Sequence, residues 1–236
     1  MEKQVQLSKR LQAVVDLVTK GKKVADVGCD HAYISIYMVE QKIASHVIAM
    51  DVNRGPLERA KENIKKFGLD GFIETRLSDG IKKLEPGEAE TLLIAGMGGP
   101  LMQQIILGNP KVLETVDELV LQPQSEIKEV RVFLAQIGFG IVEENMVLDE
   151  GKYYVMMRAK RGAKHTYTSE LDKRYGKYLL EHKNEVLKAF LQKELKNNQL
   201  IFEKLSKQSS AKSEEKKRQL MVDMEYCKEA LSQYEG

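Results

Sequence analysis

Cysteine is scarce in this chain, and tryptophan is absent. The 236 residues include two cysteines, Cys29 and Cys227, which lie roughly 200 positions apart. Such a pair predicts neither a disulfide framework nor a cysteine-based metal cluster. The histidines also lack the spacing of zinc ligands; they are His31, His46, His165 and His182. The sequence therefore predicts no metal site.

Long apolar runs are missing as well. The apolar stretch around Leu119 is far too short to cross a bilayer, and residues 1–12 contain no apolar signal core. Charged residues make up 31% of the chain and hydrophobic residues 42%, a balance typical of folded globular proteins and not of disordered ones. We expect a cytoplasmic protein that does not bind membranes.

The net charge of +2 is unevenly distributed. Residues 161–236 carry 16 basic and 12 acidic side chains, whereas residues 1–160 carry 21 and 23. The more basic C-terminal part favours a nucleic-acid partner. A solvated helical surface is the alternative explanation of the same charges.

Short apolar segments alternate with helical ones over the first 162 residues. The predicted strands are 22–28, 46–52, 72–77, 91–96 and 118–123, and the predicted helices are 32–41, 56–67, 100–107 and 125–137. Five βα units of this kind predict a parallel sheet. Strands at 139–148 and 152–160, joined by a turn at 149–151, predict a closing hairpin. We expect a Rossmann-like α/β domain over residues 1–162 with a mostly parallel, seven-stranded sheet.

Residues 163–236 contain no proline and are rich in Lys, Glu, Leu and Gln, which favour helices. Apolar residues recur there at coiled-coil spacing; they are Leu191, Leu195, Phe202 and Leu205, then Leu220, Met224, Cys227, Leu231 and Tyr234. This pattern predicts a coiled-coil-like helical hairpin, with a turn at 209–213 and Ser213 capping the second helix.

Acidic residues follow three of the predicted strands. Asp26 lies two residues before Gly28, Asp51 ends the second strand, and the third is followed by Ser78, Asp79 and Gly80. Ligands of open parallel sheets bind at these strand ends, where a carboxylate can accept hydrogen bonds from ribose hydroxyls or an adenine amine. Each Asp alone could instead cap a helix or form a turn. The spacing departs from the dinucleotide fingerprint, and no phosphate-loop lysine follows.

A glycine-rich segment, residues 95–99, follows the fourth strand. It indicates backbone in close contact with a ligand, or else a flexible connection. Gln122 ends the fifth strand at the same predicted edge of the sheet. Its amide could pair with a purine edge or simply face solvent.

Four segments together resemble the bacterial tRNA (adenine-22)-N1-methyltransferase family, whose members use S-adenosylmethionine; they are 7–11 (LSKRL), 26–32 (DVGCDHA), 95–99 (AGMGG) and 121–124 (LQPQ). The resemblance extends over essentially the whole chain. It implies a class I methyltransferase that methylates N1 of an adenine in tRNA. The residues assigned to the cofactor pocket are Arg10, Asp26, Gly28, Asp30, His31, Asp51, Val52, Ser78, Asp79, Gly80, Gly96, Met97 and Gly98. Cys29 and Ser35 receive no role.

The remaining assignments concern catalysis and the substrate. Asp30 is the candidate catalytic residue, with pure cofactor binding as its alternative. The candidate substrate contacts are Gly98, Gly99, Gln122, Lys173, Arg174 and Lys177. A monomer is favoured. A methyltransferase acting on another substrate and a non-catalytic RNA-binding module remain the competing hypotheses.

Overall fold

The computed structural model divides into two compact units, Met1–Thr166 and Tyr167–Gly236. It describes residues 5–164, 167, 169–207 and 210–235. The predicted domain boundary after residue 162 lies four residues before this division. Among the described residues, no helix combines the length and apolar character that crossing a membrane requires.

Seven strands form one sheet in the first unit: β1 (Lys22–Val27), β2 (Ala44–Asp51), β3 (Ile73–Leu77), β4 (Thr91–Met97), β5 (Glu118–Pro123), β6 (Phe139–Asp149) and β7 (Lys152–Arg161). Their order across the sheet is β3-β2-β1-β4-β5-β7-β6. The first five strands are parallel, and β7 runs antiparallel to both β5 and β6. The predicted fold class and the closing hairpin are confirmed.

The central strands are buried on both faces of the sheet. Leu92, Leu93 and Ile94 are consecutive on β4, so their side chains alternate between the two faces, yet all three are fully buried. Every residue of β5 is buried as well. Helices must therefore cover both sides of the sheet, which leaves the ends of the strands as the place where polar side chains can reach a ligand.

In the described part of the first unit, six helices accompany this sheet: α1 (Lys9–Val15), α2 (Tyr33–Glu40), α3 (Arg54–Lys66), α4 (Gly99–Leu107), α5 (Pro110–Leu113) and α6 (Ile127–Gln136). α3 begins two residues before the predicted start, which leaves Pro56 third in its first turn, where no intrahelical N–H is needed. The short α5 was not predicted. Five βα units were predicted, but residues 78–90, all of which the structure describes, form turns, so β3 has no helix of its own.

Four helices make up the described part of the second unit: α7 (Glu170–Tyr175), α8 (Lys177–Glu181), α9 (Glu185–Leu205) and α10 (Ala211–Ser232). α9 and α10 pack against each other, as the predicted hairpin requires. Leu191, Leu220 and Cys227 of the predicted seam are buried. The coiled-coil geometry of the pair stays a prediction, and α7 and α8 were not predicted.

The predicted cap of α10 is wrong. The Ser210 hydroxyl oxygen accepts a hydrogen bond from the Ser213 N–H, and the Ser213 hydroxyl oxygen accepts one from the Ser210 N–H, both at 3.1 Å. Ser210 is thus the N-cap and Ser213 completes a capping box, which satisfies two otherwise unpaired N–H groups. Ser209, part of the predicted turn, lies outside the described residues.

Candidate functional site at the carboxyl ends of β1 and β4

A cleft of about 250 Å³ opens at the carboxyl ends of β1 and β4. These strands are neighbours at the centre of the sheet. The strand order reverses between them, because β2 and β3 lie beyond β1 and β5 lies beyond β4. Open parallel sheets bind their ligands at such a switch point. The cleft is lined by Arg10, Leu11, Asp26, Gly28, Cys29, Asp30, His31, Tyr33, Ile34, Ala95, Gly96 and Gln124.

Asp26 places a buried carboxylate at the base of this cleft. The residue is only 2% exposed, and the Ser35 hydroxyl donates a hydrogen bond to Asp26 Oδ2 at 2.6 Å. Burial raises the pKa of Asp26 from 3.8 to about 6, the Ser35 hydrogen bond opposes that rise, and the charge of Asp51 adds to it. Ser35 was assigned no role from the sequence, but it is the partner that holds this carboxylate.

Replacing Asp26 with asparagine is expected to change how the stability of the protein depends on pH. Because the pKa of Asp26 is higher in the folded protein than its ordinary value, this carboxyl stabilises the fold below about pH 4. That stabilisation is lost as the pH rises through about 6. The free energy of unfolding of Asp26→Asn, relative to wild type, should therefore increase by about 2–3 kcal/mol between roughly pH 4 and pH 8.

Urea unfolding across this pH range measures the difference. Asp70→Asn, at an exposed position, is the matched control and should follow the wild-type pH profile. Parallel pH profiles for Asp26→Asn and wild type would show that Asp26 is not the buried, destabilised carboxylate that this geometry implies.

Gly28 brings the end of β1 into contact with the end of β4. Its φ is +81°, and a β-carbon added there would lie 2.2 Å from Cε of Met97. The Met97 side chain therefore lies directly across Gly28, while the Gly28 N–H donates to the carbonyl of Met50 on β2 at 2.8 Å. At this point the Met97 side chain covers the Gly28 backbone, and a β-carbon at Gly28 would not fit beneath it.

The loop between β1 and α2 presents Asp30 and His31 at the cleft. Asp30 and Ala32 both adopt left-handed conformations, with φ of 45° and 59°, which few non-glycine residues adopt. The Asp30 side chain is 69% exposed, and its Oδ1 lies 3.7 Å from His31 Nε2. The His31 ring stacks on the ring of Tyr33, a residue that sequence reasoning did not assign to the site.

Three further predicted residues lie at the neighbouring strand ends and outside the lining of this cleft. Asp51 ends β2, and its Oδ1 accepts a hydrogen bond from the Asn53 N–H at 2.7 Å. Val52, the next residue, is exposed. Asp79 follows β3 and forms an exposed ion pair with Lys82.

Ser78 and Gly80 flank Asp79, and both are buried. The Ser78 hydroxyl oxygen accepts a hydrogen bond from the Lys83 N–H, and a β-carbon at Gly80 would lie 3.1 Å from Ile105. These contacts shape the turn after β3. A ligand contact at either residue stays a prediction.

Arg10 and Gln122 form a pair at the side of the cleft. Arg10 Nη1 donates to Gln122 Oε1 at 2.7 Å, and Gln122 Nε2 donates to the carbonyl of Pro123 at 3.0 Å. Gln122 is fully buried and both ends of its amide are hydrogen-bonded, and a substrate contact at this residue stays a prediction. The residue that lines the cleft from this strand end is Gln124, two positions later.

Gly98 and Gly99 serve packing at the start of α4. The Gly99 N–H donates to the carbonyl of Ser125 at 3.2 Å, and a β-carbon at Gly99 would lie 2.7 Å from that oxygen. Gly99 is buried and faces the segment before α6, and its substrate contact stays a prediction. Gly98 is the N-cap of α4, and neither glycine lines the cleft.

In the second unit, Arg174 is already engaged. Its Nη1 lies 2.9 Å from Asp223 Oδ1, and its Cζ lies 4.4 Å from the ring centroid of Tyr226. A phosphate at Arg174 would compete with Asp223, and the tRNA contact assigned to Arg174 stays a prediction. Lys177 Nζ lies 3.4 Å from Glu181 Oε1. The tRNA contacts assigned to Lys173 and Lys177 stay predictions.

No group of three potential metal ligands among His, Cys, Asp and Glu occurs in the part of the chain that the structure describes. His165 lies outside that part. Cys29 and Cys227 are both free and buried, and burial raises the pKa of the Cys29 thiol well above its usual range.

Comparison with known proteins places this cleft in context. Residues 7–157 match a family described as methyltransferase domain. The tRNA (adenine(22)-N(1))-methyltransferase of Bacillus subtilis is 31% identical over 233 residues, which cover 97% of this chain and 98% of that protein.

Solved structures agree over the same length. The m1A22 tRNA methyltransferase of B. subtilis has a TM-score of 0.84 at 31% identity, with 96% of this chain and 99% of that one covered. A candidate tRNA (m1A22) methyltransferase of Streptococcus pneumoniae, solved in complex with S-adenosyl-L-methionine, has a TM-score of 0.84 at 31% identity and covers 96% and 100%. The chain therefore belongs to the tRNA (adenine(22)-N(1))-methyltransferase family.

Proposed function

We propose that this protein transfers a methyl group from S-adenosylmethionine to N1 of adenine 22 in tRNA. The observation that carries the proposal is the cleft at the β1–β4 switch point, in a chain that matches a tRNA (adenine(22)-N(1))-methyltransferase over 97% of its length. Both units of the chain take part in that match.

The residues present fit this cofactor. Gly28 would present its backbone to a ligand once the Met97 side chain moves aside. The carboxylates of Asp26 and Asp30 line the same cleft, where a ligand carrying an ammonium and a sulfonium would complement them. Asp51 at the end of β2 provides acceptors for ribose hydroxyls. When bound, S-adenosylmethionine supplies an electrophilic methyl group on a positively charged sulfur atom.

The remaining cofactor contacts are proposed on the same basis. They involve the turn after β3 and the glycine-rich end of β4, and the assigned residues are Arg10, His31, Val52, Ser78, Asp79, Gly80, Gly96, Met97 and Gly98. Met97 lies across Gly28 and would have to yield space there. Its terminal methyl group is the far end of a flexible side chain, so this movement costs little.

The reaction mainly requires the adenine base to be aligned with the methyl group of the cofactor. The N1 lone pair of adenine lies in the plane of the ring and needs no deprotonation, so the protein must hold the base in line with the methyl group. N1 lies on the Watson–Crick edge, so the base has to be unpaired or drawn out of its stack before it enters the cleft.

Asp30 is the proposed catalytic residue. Methylation at N1 leaves a positive charge on the adenine ring, and a carboxylate at the cleft stabilises that charge or accepts a proton from N6. The exposed Asp30 side chain is placed for this role, whereas Asp26 is buried and bonded to Ser35. If Asp30 serves only the cofactor, Asp30→Asn lowers cofactor affinity and leaves turnover at saturation unchanged.

Incubation with S-adenosylmethionine and unmodified tRNA transcripts, followed by nucleoside mass spectrometry, tests the function. We expect 1-methyladenosine in a transcript with adenine 22. A transcript with guanine 22 should give none, because guanine N1 carries a hydrogen in place of a lone pair. Asp30→Asn should lose about 100-fold or more in turnover even at saturating S-adenosylmethionine.

Three outcomes would contradict the proposal, and each points to a different alternative. Methylation at another position would indicate a different substrate. Binding of tRNA without methylation, together with no calorimetric signal for S-adenosylhomocysteine, would indicate a non-catalytic RNA-binding module. Cofactor binding without any RNA product would indicate a methyltransferase of another substrate class.

The second unit is proposed to contact tRNA through its exposed lysines, with α9 and α10 as the supporting scaffold. Contacts to phosphates release counterions, so tRNA affinity should fall steeply with salt. The alternative, that these helices serve self-association, predicts a concentration-dependent molecular mass and a shallow salt dependence.

A further inference from the structure

Gln124 carries an exposed side-chain amide at the mouth of the cleft. Its backbone N–H donates to the carbonyl of Met97 at 2.8 Å, which fixes the residue against the end of β4. None of the hydrogen bonds in the described part of the chain uses its amide group. A residue with a fixed backbone and an available amide beside a cleft is well placed to hydrogen-bond a polar ligand.

The Gln124 amide lies close to Gly96 in the cleft. A β-carbon at Gly96 would lie 3.8 Å from Gln124 Nε2 and 3.5 Å from Arg10 Nη1. Two hydrogen-bond donors from distant parts of the chain therefore border the same part of the cleft. The guanidinium of Arg10 is held there by Gln122 and by the Tyr154 ring, whose centroid lies 5.4 Å from Arg10 Cζ.

We propose that Gln124 recognises the target adenine by pairing its amide with N6 and N7 of the base. This inference rests on the proposed function and names the residue that selects the base. A glutamine amide matches the adenine donor at N6 and acceptor at N7 in a two-bond pair. That pair leaves the N1 lone pair uncovered, which methylation requires.

The same pairing discriminates against guanine. Guanine presents acceptors at both O6 and N7, so the carbonyl oxygen of the Gln124 amide would face another acceptor. Gln124 is therefore a specificity-determining residue, and the buried Gln122 supports it indirectly by holding Arg10 at the same part of the cleft.

A thermodynamic cycle that combines one protein substitution with one modified tRNA substrate tests the contact. Initial methylation rates are measured for wild type and Gln124→Ala, on tRNA with adenine 22 and on tRNA with 7-deazaadenine 22, which lacks the N7 acceptor. Wild type should lose about tenfold in kcat/KM on the deaza substrate. Gln124→Ala should lose roughly 10–100-fold on natural tRNA and less than about twofold more on the deaza substrate.

Gln104→Ala, at an exposed position of α4 outside the cleft, is the matched control and should repeat the wild-type losses. Calorimetry with S-adenosylhomocysteine should give the wild-type affinity for Gln124→Ala. An equal deaza penalty in wild type and Gln124→Ala, or a loss of cofactor affinity in the variant, overturns the assignment. Wild type that fails to methylate adenine 22 at all overturns the proposed function, and this inference with it.

Discussion

A Gly28→Ala variant is expected to bind S-adenosylhomocysteine at least about 100-fold more weakly than wild type, equivalent to roughly 2.7 kcal/mol. The added methyl group would occupy the position where Met97 Cε now covers the Gly28 backbone, in the cleft that is proposed to bind the cofactor. Met97 can move aside, but the methyl group cannot. Methyl transfer should fall in parallel at low cofactor concentration, and isothermal calorimetry measures the affinity directly.

Gly21→Ala separates backbone strain from obstruction of the cleft. Gly21 has nearly the same φ, +83° against +81°, but a β-carbon there would meet no atom within 4 Å. Both variants should lose about 1–2 kcal/mol of stability, because an L-residue is strained in this conformation. Only Gly28→Ala should lose affinity. Similar affinities for the two variants would remove Gly28 from the cofactor site.

The strands were predictable from the sequence because their burial leaves a direct composition signal. Each of the seven predicted strands lies within two residues of the observed bounds at both ends. The buried segments at β1, β2, β4 and β5 are apolar on both faces, and their short length and flanking turn residues favour buried strands over helices. Turn residues at 149–151 located the hairpin between β6 and β7 in the same way.

Short helices were not predictable because their stability comes from tertiary contacts. α5 has four residues and depends on Asn109, whose Oδ1 accepts a hydrogen bond from the Val112 N–H at the helix start. α7 and α8 have six and five residues, too few for helix propensity to exceed the cost of nucleation. The cap of α10 was misplaced because Ser210 and Ser213 both favour N-cap positions and only the packed backbone distinguishes them.

The candidate site was predictable where consecutive residues contribute to it. Asp26, Gly28, Asp30 and His31 occur within six positions, and all four line the cleft. Contacts between distant segments left no such signal. Nothing in the sequence pairs Arg10 with Gln122, whereas in the structure Gln122 binds Arg10 and Gln124 lines the cleft.

Charge patterns identified basic residues but not their partners. Arg174 was assigned to tRNA because it lies in a basic stretch, yet its guanidinium contacts Asp223, 49 positions later. In a helical unit, packing brings opposite charges together from different helices, which no local pattern reveals. Affinity for phosphate depends on what the guanidinium already binds, so composition alone overstates the number of available cations.

The largest expected loss of stability comes from breaking the buried ion pair between α6 and β6. Arg131 and Glu144 are 1% and 0% exposed, and Arg131 Nε donates to Glu144 Oε1 at 2.8 Å. The other oxygen, Glu144 Oε2, is buried with no hydrogen-bond partner among the described residues. Arg131→Met should cost about 3–5 kcal/mol, because it leaves a carboxylate in an apolar environment.

The double variant Arg131→Met, Glu144→Leu is expected to recover most of that loss, since two apolar side chains can fill the space without a buried charge. Burial already raises the pKa of Glu144, and Arg131 opposes that rise. Without Arg131 the carboxyl takes up a proton more readily, so the deficit of Arg131→Met should shrink as the pH falls. Urea unfolding at neutral and acidic pH measures both effects. If the single and double variants had the same free energy of unfolding, burying the unpaired Glu144 carboxylate would cost little. The loss of stability would then come from the changed packing and not from the unpaired charge.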